Sequence, residues 1–171
     1  MNDVLTRWNR MSVEDAIGEI LPCCGSRAWA RGLAGLRPVM LEDSLLQRSD
    51  RIWWGLSETD WNEAFRSHPR IGEKNAAGET TPQAVHWSAK EQSNAADLYS
   101  VKELMAEGQR AYEEKFGRIF IVCATGKSAS EMLAMLDTRM HNDPATELRN
   151  AAEQQRQITQ LRLRKWMRGE R

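Results

Sequence analysis

His68-Pro69-Arg70-Ile71-Gly72 is the stretch of this chain best placed to do chemistry. An imidazole titrates near neutrality, so histidine is the side chain most suited to moving a proton at physiological pH. Residues 57–66 predict a short amphipathic helix, with Ser57 as N-cap and Asp60 at the third helical position. Trp61, Ala64, Phe65 and His68 then fall on one helical row, so the ring ends a core-facing stripe. Pro69 disfavours helical backbone at His68, and Gly72 lets the chain turn sharply. The imidazole is thus expected at a helix C-terminus, where the backbone field favours its charged form. A partly buried histidine that merely ends a helix fits the same pattern, and both readings stand on these residues alone.

Ser88, Glu91 and Arg162 are the other candidates. Ser88-Ala89-Lys90-Glu91 has capping-box spacing, which a helix start alone would explain. The same geometry would aim a hydroxyl, a carboxylate and free amides at one spot, enough to orient a polar ligand and partner a histidine. Arg162 shares a helical row with Ile158 and Trp166, so its stem is expected along apolar surface. Its planar fork either snorkels to solvent or, directed into a pocket, suits a carboxylate or urea-like group. His86 and His141 lack metal-ligand spacing with each other or with a cysteine. Gly117, Gly126 and Lys127 do not make a phosphate loop, and no strained nucleophile turn occurs.

The elements that must position these residues read as helices. Ser12 to Asp15 has capping-box spacing and opens a short helix that Pro22 is expected to end. Ser26 caps another, and Pro38 can open a longer one at its first position, ended by Gly55. Residues 73–87 read as an irregular loop of the length that carries function or a lid. Ser88, Ser100 and Ser128 each match a capping box, which predicts three helices in series. Asp143-Pro144 starts the last helix, with no breaker until Gly169. Residues 119–124 are a β-prone apolar run flanked by glycines, readable as a buried strand or as an extended segment whose amides bind something else.

Composition narrows the classes further. The 171 residues fit one domain, read as 1–171, with room for a sizeable core. Lys plus Arg and Asp plus Glu are both 24, which gives no hint of nucleic acid or of an anionic membrane. No run is long enough to span a bilayer, and no signal peptide or peroxisomal address is seen. Cys23, Cys24 and Cys123 form neither a disulfide framework nor a zinc site. A reducing, cytoplasmic setting is expected.

Five elements in order then resemble one family closely: the decarboxylase acting on 2-oxo-4-hydroxy-4-carboxy-5-ureidoimidazoline (OHCU), which yields (S)-allantoin in urate degradation. They are His68-Pro69 with Ile71-Gly72; Ser88-x-x-Glu91-Gln92; Tyr112-x-x-x-Phe116-Gly117; the run from Phe120 to Ala124; and Leu161-Arg162-Leu163. The resemblance implies an all-α bundle, a homodimer and a cofactor-free reaction, with residues 119–124 extended and unpaired. It makes His68 and Glu91 catalytic. It makes Pro69, Ser88, Gln92, Phe120, Ile121, Val122, Cys123, Ala124 and Arg162 substrate-binding, with no metal site. Animal-type members have Asp-Leu-Ala and Phe-Pro where this chain has Arg70-Ile71-Gly72 and Arg118-Ile119. Both changes look bacterial in type and put a cation near the expected site. A helical interaction module and a metal-dependent hydrolase of ureido compounds are the alternatives from other classes.

Overall fold

The computed structural model describes residues 2–73, 80–92 and 98–170. Within them lie nine helices and no strand, the all-α class expected. They are α1 (Asp3–Asn9), α2 (Val13–Cys24), α3 (Arg27–Ala34), α4 (Glu42–Trp54), α5 (Glu58–Arg66), α6 (Pro82–Glu91), α7 (Leu98–Phe116), α8 (Ala129–Arg139) and α9 (Pro144–Met167). Most starts follow local capping chemistry. The Ser12, Ser26 and Ser128 hydroxyls accept from the amides of Asp15, Trp29 and Glu131. Ser57 and Asp60 exchange backbone-to-side-chain bonds of 3.3 Å at the head of α5. Asp143 accepts from the Thr146 amide and hydroxyl at the head of α9, which holds its carboxyl below the usual range.

Four expectations are corrected. Pro22 lies inside α2 rather than ending it: burial of Ile20, Cys23 and Cys24 outweighs one missing amide bond. The helix stops instead at Gly25, whose φ of 90° is the left-handed conformation that glycine adopts readily. Pro38 does not open α4, because the next residue is engaged elsewhere. The Val39 amide donates to Asn9 Oδ1 and its carbonyl accepts from Asn9 Nδ2, at 2.9 and 2.8 Å. The irregular stretch is shorter than expected, since Thr81 caps α6 and Pro82 takes its first position. Ser88 therefore sits in the last turns of α6 and starts nothing, and the Ser100 box falls inside α7. The middle of the expected loop, residues 74–79, lies outside the described residues.

The chain clusters into two units. One comprises residues 1–64 and 156–171, and it holds six of the seven tryptophans. In it α2 packs on α3 and α3 on α4. The indole N–H groups of Trp8, Trp29 and Trp61 each find an acceptor: the Ala16 carbonyl, Ser49 Oγ and the Trp53 carbonyl. The Trp8 and Trp166 rings meet edge-on at 5.7 Å.

The other unit, residues 65–155, is built on α7 against α8. Its core joins Met105, Tyr112 and Phe116 of α7 with Phe120, Val122 and Ala124 and with Ala129, Met132 and Leu136 of α8. Gly108 lets these helices approach closely: a Cβ there would come within 3.1 Å of a Leu136 methyl.

Candidate active site

Trp61, Ala64, Phe65 and His68 are all buried, as the helical row requires. The helix ends at Arg66, and the His68 amide closes a last turn on the Phe65 carbonyl. His68 is only 7% exposed, and its Nε2 lies 2.7 Å from Oε1 of Gln155, which is fully buried.

The turn after His68-Pro69 is held by side chains from other elements. Gln109 of α7 pairs with Ile71 as a strand would, accepting from its amide at 2.8 Å and donating to its carbonyl at 3.0 Å. The Gly72 amide, at a φ of 87°, donates to Gln92 Oε1. Arg70 forks onto Glu113, with Nε 2.5 Å from Oε1 and Nη2 2.9 Å from Oε2, and also reaches Glu73. These contacts, the Glu113 hydrogen bond foremost, hold its guanidinium firmly in the charged form. The cation introduced at Arg70 is thus matched by two carboxylates.

The helical row of α6 still groups the residues that the motif singled out. Ala84, Trp87 and Ser88 are buried, and Glu91 continues the row at i+7 from Ala84, half-buried. What changes is the backbone. Ser88 offers no cap, and its carbonyl accepts from the Gln92 amide in the closing turn.

Residues 119–124 are buried throughout and extended rather than paired in a sheet. Side chains supply the partners that a neighbouring strand would. Arg139 Nη1 donates to the Ile121 carbonyl and Lys127 Nζ to the Cys123 carbonyl, both at 2.7 Å. The Cys123 amide donates to Gln154 Oε1 at 2.9 Å, so it is already engaged. The amides of Phe120, Ile121, Val122 and Ala124 meet no protein acceptor among the described residues.

Arg162 belongs to the other unit, between Ile158 and Trp166 on its row as expected. It does not snorkel: the residue is 1% exposed, and Nη1 donates to the Pro22 carbonyl at 3.2 Å. Cys23 and Cys24 nearby are free thiols, and burial pushes that of Cys24 up to about 12. Among the described residues no group of three or more His, Cys, Asp or Glu is placed to hold a metal ion.

Sequence reasoning missed Gln109, Gln154, Gln155 and the Tyr112–Arg139–Glu147 cluster. A signal was present for two of them. Gln109 interrupts the apolar row Met105, Tyr112, Phe116, and Gln155 interrupts the row Ala151, Ala152, Ile158.

The described residues thus form an all-helical protein in which a buried histidine at a helix end is held by a carboxamide from a second helix. The family model described as OHCU decarboxylase matches residues 9–164. The chain belongs to that family. It is 37% identical over 158 residues to the uric acid degradation bifunctional protein TTL of Arabidopsis thaliana, an alignment covering 91% of this chain and 48% of that one. It therefore spans about half the length of that relative. A 2-oxo-4-hydroxy-4-carboxy-5-ureidoimidazoline decarboxylase of Haloferax volcanii is 27% identical, with 93% of each chain covered. Among solved structures, an OHCU decarboxylase crystallised in the presence of (S)-allantoin superposes with a TM-score of 0.74 at 35% identity, covering 88% of this chain and 97% of that one. An (S)-allantoin synthase, at 17% identity and a TM-score of 0.68 over 93% of this chain and 52% of that one, shares the fold.

Proposed function

We propose that this chain, acting as one functional domain, decarboxylates 2-oxo-4-hydroxy-4-carboxy-5-ureidoimidazoline to (S)-allantoin. The substrate carries a hydroxyl and a carboxylate on one ring carbon, next to a C=N bond. When CO2 leaves, its electron pair passes into the ring and the C=N pair moves onto nitrogen, which takes up a proton from solvent, so the substrate is its own electron sink. The hydroxyl then gives up its proton to become the carbonyl, and a proton is added to one face of the neighbouring carbon. His68 suits both transfers, with Glu91 as its carboxylate partner. Pro69, Ser88, Gln92, Arg162 and the amides of Phe120, Ile121, Val122 and Ala124 would fix the ring and meet charge on its heteroatoms. The homodimer that the family resemblance implies, in the reducing, cytoplasmic setting expected from the composition, is the working form proposed.

The observation that carries this reading is the buried, carboxamide-held imidazole at the position assigned to the catalytic histidine. The test is to supply freshly generated substrate and follow optical activity. Rapid formation of one hand of allantoin is expected; racemic product at the spontaneous rate would overturn the reading.

Glu91 gives a sharper check. It stands in the last turn of α6, where the helix field disfavours a negative charge. Glu91→Gln should leave the melting temperature unchanged or slightly higher, while the rate falls by about a hundredfold or more. Unchanged turnover would remove Glu91 from the chemistry.

Arg162→Met keeps most of the stem and removes the fork. Its affinity for allantoin should weaken by about 1.5–3 kcal/mol, the worth of a hydrogen bond to a charged group. Arg162→Lys should lose nearly as much, since an ammonium cannot reproduce a planar bidentate contact. Calorimetric titration of the three proteins with allantoin decides this, and equal affinities would take Arg162 out of the site.

A further inference from the structure

We infer that Gln155 is a positioning residue that fixes the tautomer of His68, with the hydrogen on Nε2, so that the proton of the reaction moves through Nδ1. This rests on the decarboxylase reading for its catalytic consequence, but not for its geometry. A carboxamide oxygen only accepts, so the ring nitrogen 2.7 Å from Gln155 Oε1 carries the hydrogen. A neutral imidazole has one N–H, which leaves the lone pair on Nδ1. On protonation the added hydrogen goes to Nδ1, while Nε2–H stays bonded to Gln155. Both half-steps, taking the hydroxyl proton and delivering one to the neighbouring carbon, therefore use the same nitrogen.

Burial makes the arrangement specific. Gln155 is fully buried and His68 nearly so, which restricts both side chains. The chemical type matters too. A carboxylate at this place would favour the imidazolium and raise the pH at which the ring is neutral, whereas a carboxamide orients the ring without adding charge.

The tautomer is read directly by long-range proton–nitrogen correlation spectra of the uniformly 15N-labelled protein, at a pH where the rings are neutral. The chain has three histidines, so the spectrum of His68→Asn assigns the missing ring by elimination. The expected result is a protonated Nε2 and a lone pair on Nδ1. Gln155→Met, similar in length but without an acceptor, should lose that preference and drop kcat by at least about tenfold with little change in KM. A neutral His68 with its proton on Nδ1 in the wild-type protein would overturn the inference, whether or not the variant folds. So would a folded Gln155→Met protein with wild-type tautomer and kcat. An inactive wild-type protein whose His68 carries its proton on Nε2 would support the tautomer assignment and count against the decarboxylase reading alone.

Discussion

Replacing His68 with asparagine should abolish stereoselective allantoin formation and leave only the spontaneous reaction. Asparagine keeps hydrogen-bonding capacity beside Gln155 but has no group that titrates near neutrality. Positioned acid–base catalysis contributes about 10²–10⁴-fold, and His68 is proposed to serve both proton transfers. The expected loss therefore exceeds that of any other single substitution in the site. The fold should survive, because the substitution is confined to a helix end and point changes typically cost about 0.5–3 kcal/mol. Rate and product handedness, measured beside a thermal melt, check both halves. Turnover near wild type would make His68 a structural residue and end the proposed mechanism.

The largest effect on stability is expected at Arg139, which links two parts of the second unit. Its guanidinium lies against Glu147, with Nε and Nη2 at 2.8 and 2.5 Å from the same oxygen, and Glu147 is fully buried. Tyr112 donates its hydroxyl to that oxygen and Asn142 its amide to the other. Burial, helped by the Glu147 contact, pushes the Tyr112 phenol well above its usual range, so it stays a donor. The guanidinium also lies 4.6 Å from the Phe120 ring centre and donates to the Ile121 carbonyl. Arg139→Met leaves a buried carboxylate with neutral donors only and strips a partner from the extended segment. Breaking a buried ion pair in this way costs about 3–5 kcal/mol. The midpoint of urea unfolding should fall accordingly with the slope unchanged. Removing both charges, as Arg139→Met with Glu147→Leu, should recover part of the loss, because the uncompensated carboxylate goes too. A single variant as stable as wild type would show that the pair contributes nothing net.

The features legible in the sequence were those decided within one or two helical turns. Ser12, Ser26, Ser57, Ser128 and Asp143 cap because each hydroxyl or carboxylate reaches an amide three residues on. The stripe ending at His68 follows from helical period alone. Where two local rules competed, packing chose between them. Residues 73–87 read as a loop and Ser88-x-x-Glu91 as a helix start, yet Thr81 caps α6 and Pro82 opens it, and the helix so begun buries Ala84, Trp87 and Ser88. Residues 119–124 read equally as strand or unpaired segment, since their partners Arg139, Lys127 and Gln154 are side chains that no local pattern ties to them. The contact that orients the imidazole joins residues 87 positions apart. Backbone periodicity says which face of a helix is buried, but only the packing of one helix on another decides which buried polar groups meet, and here that choice supplied His68 with Gln155.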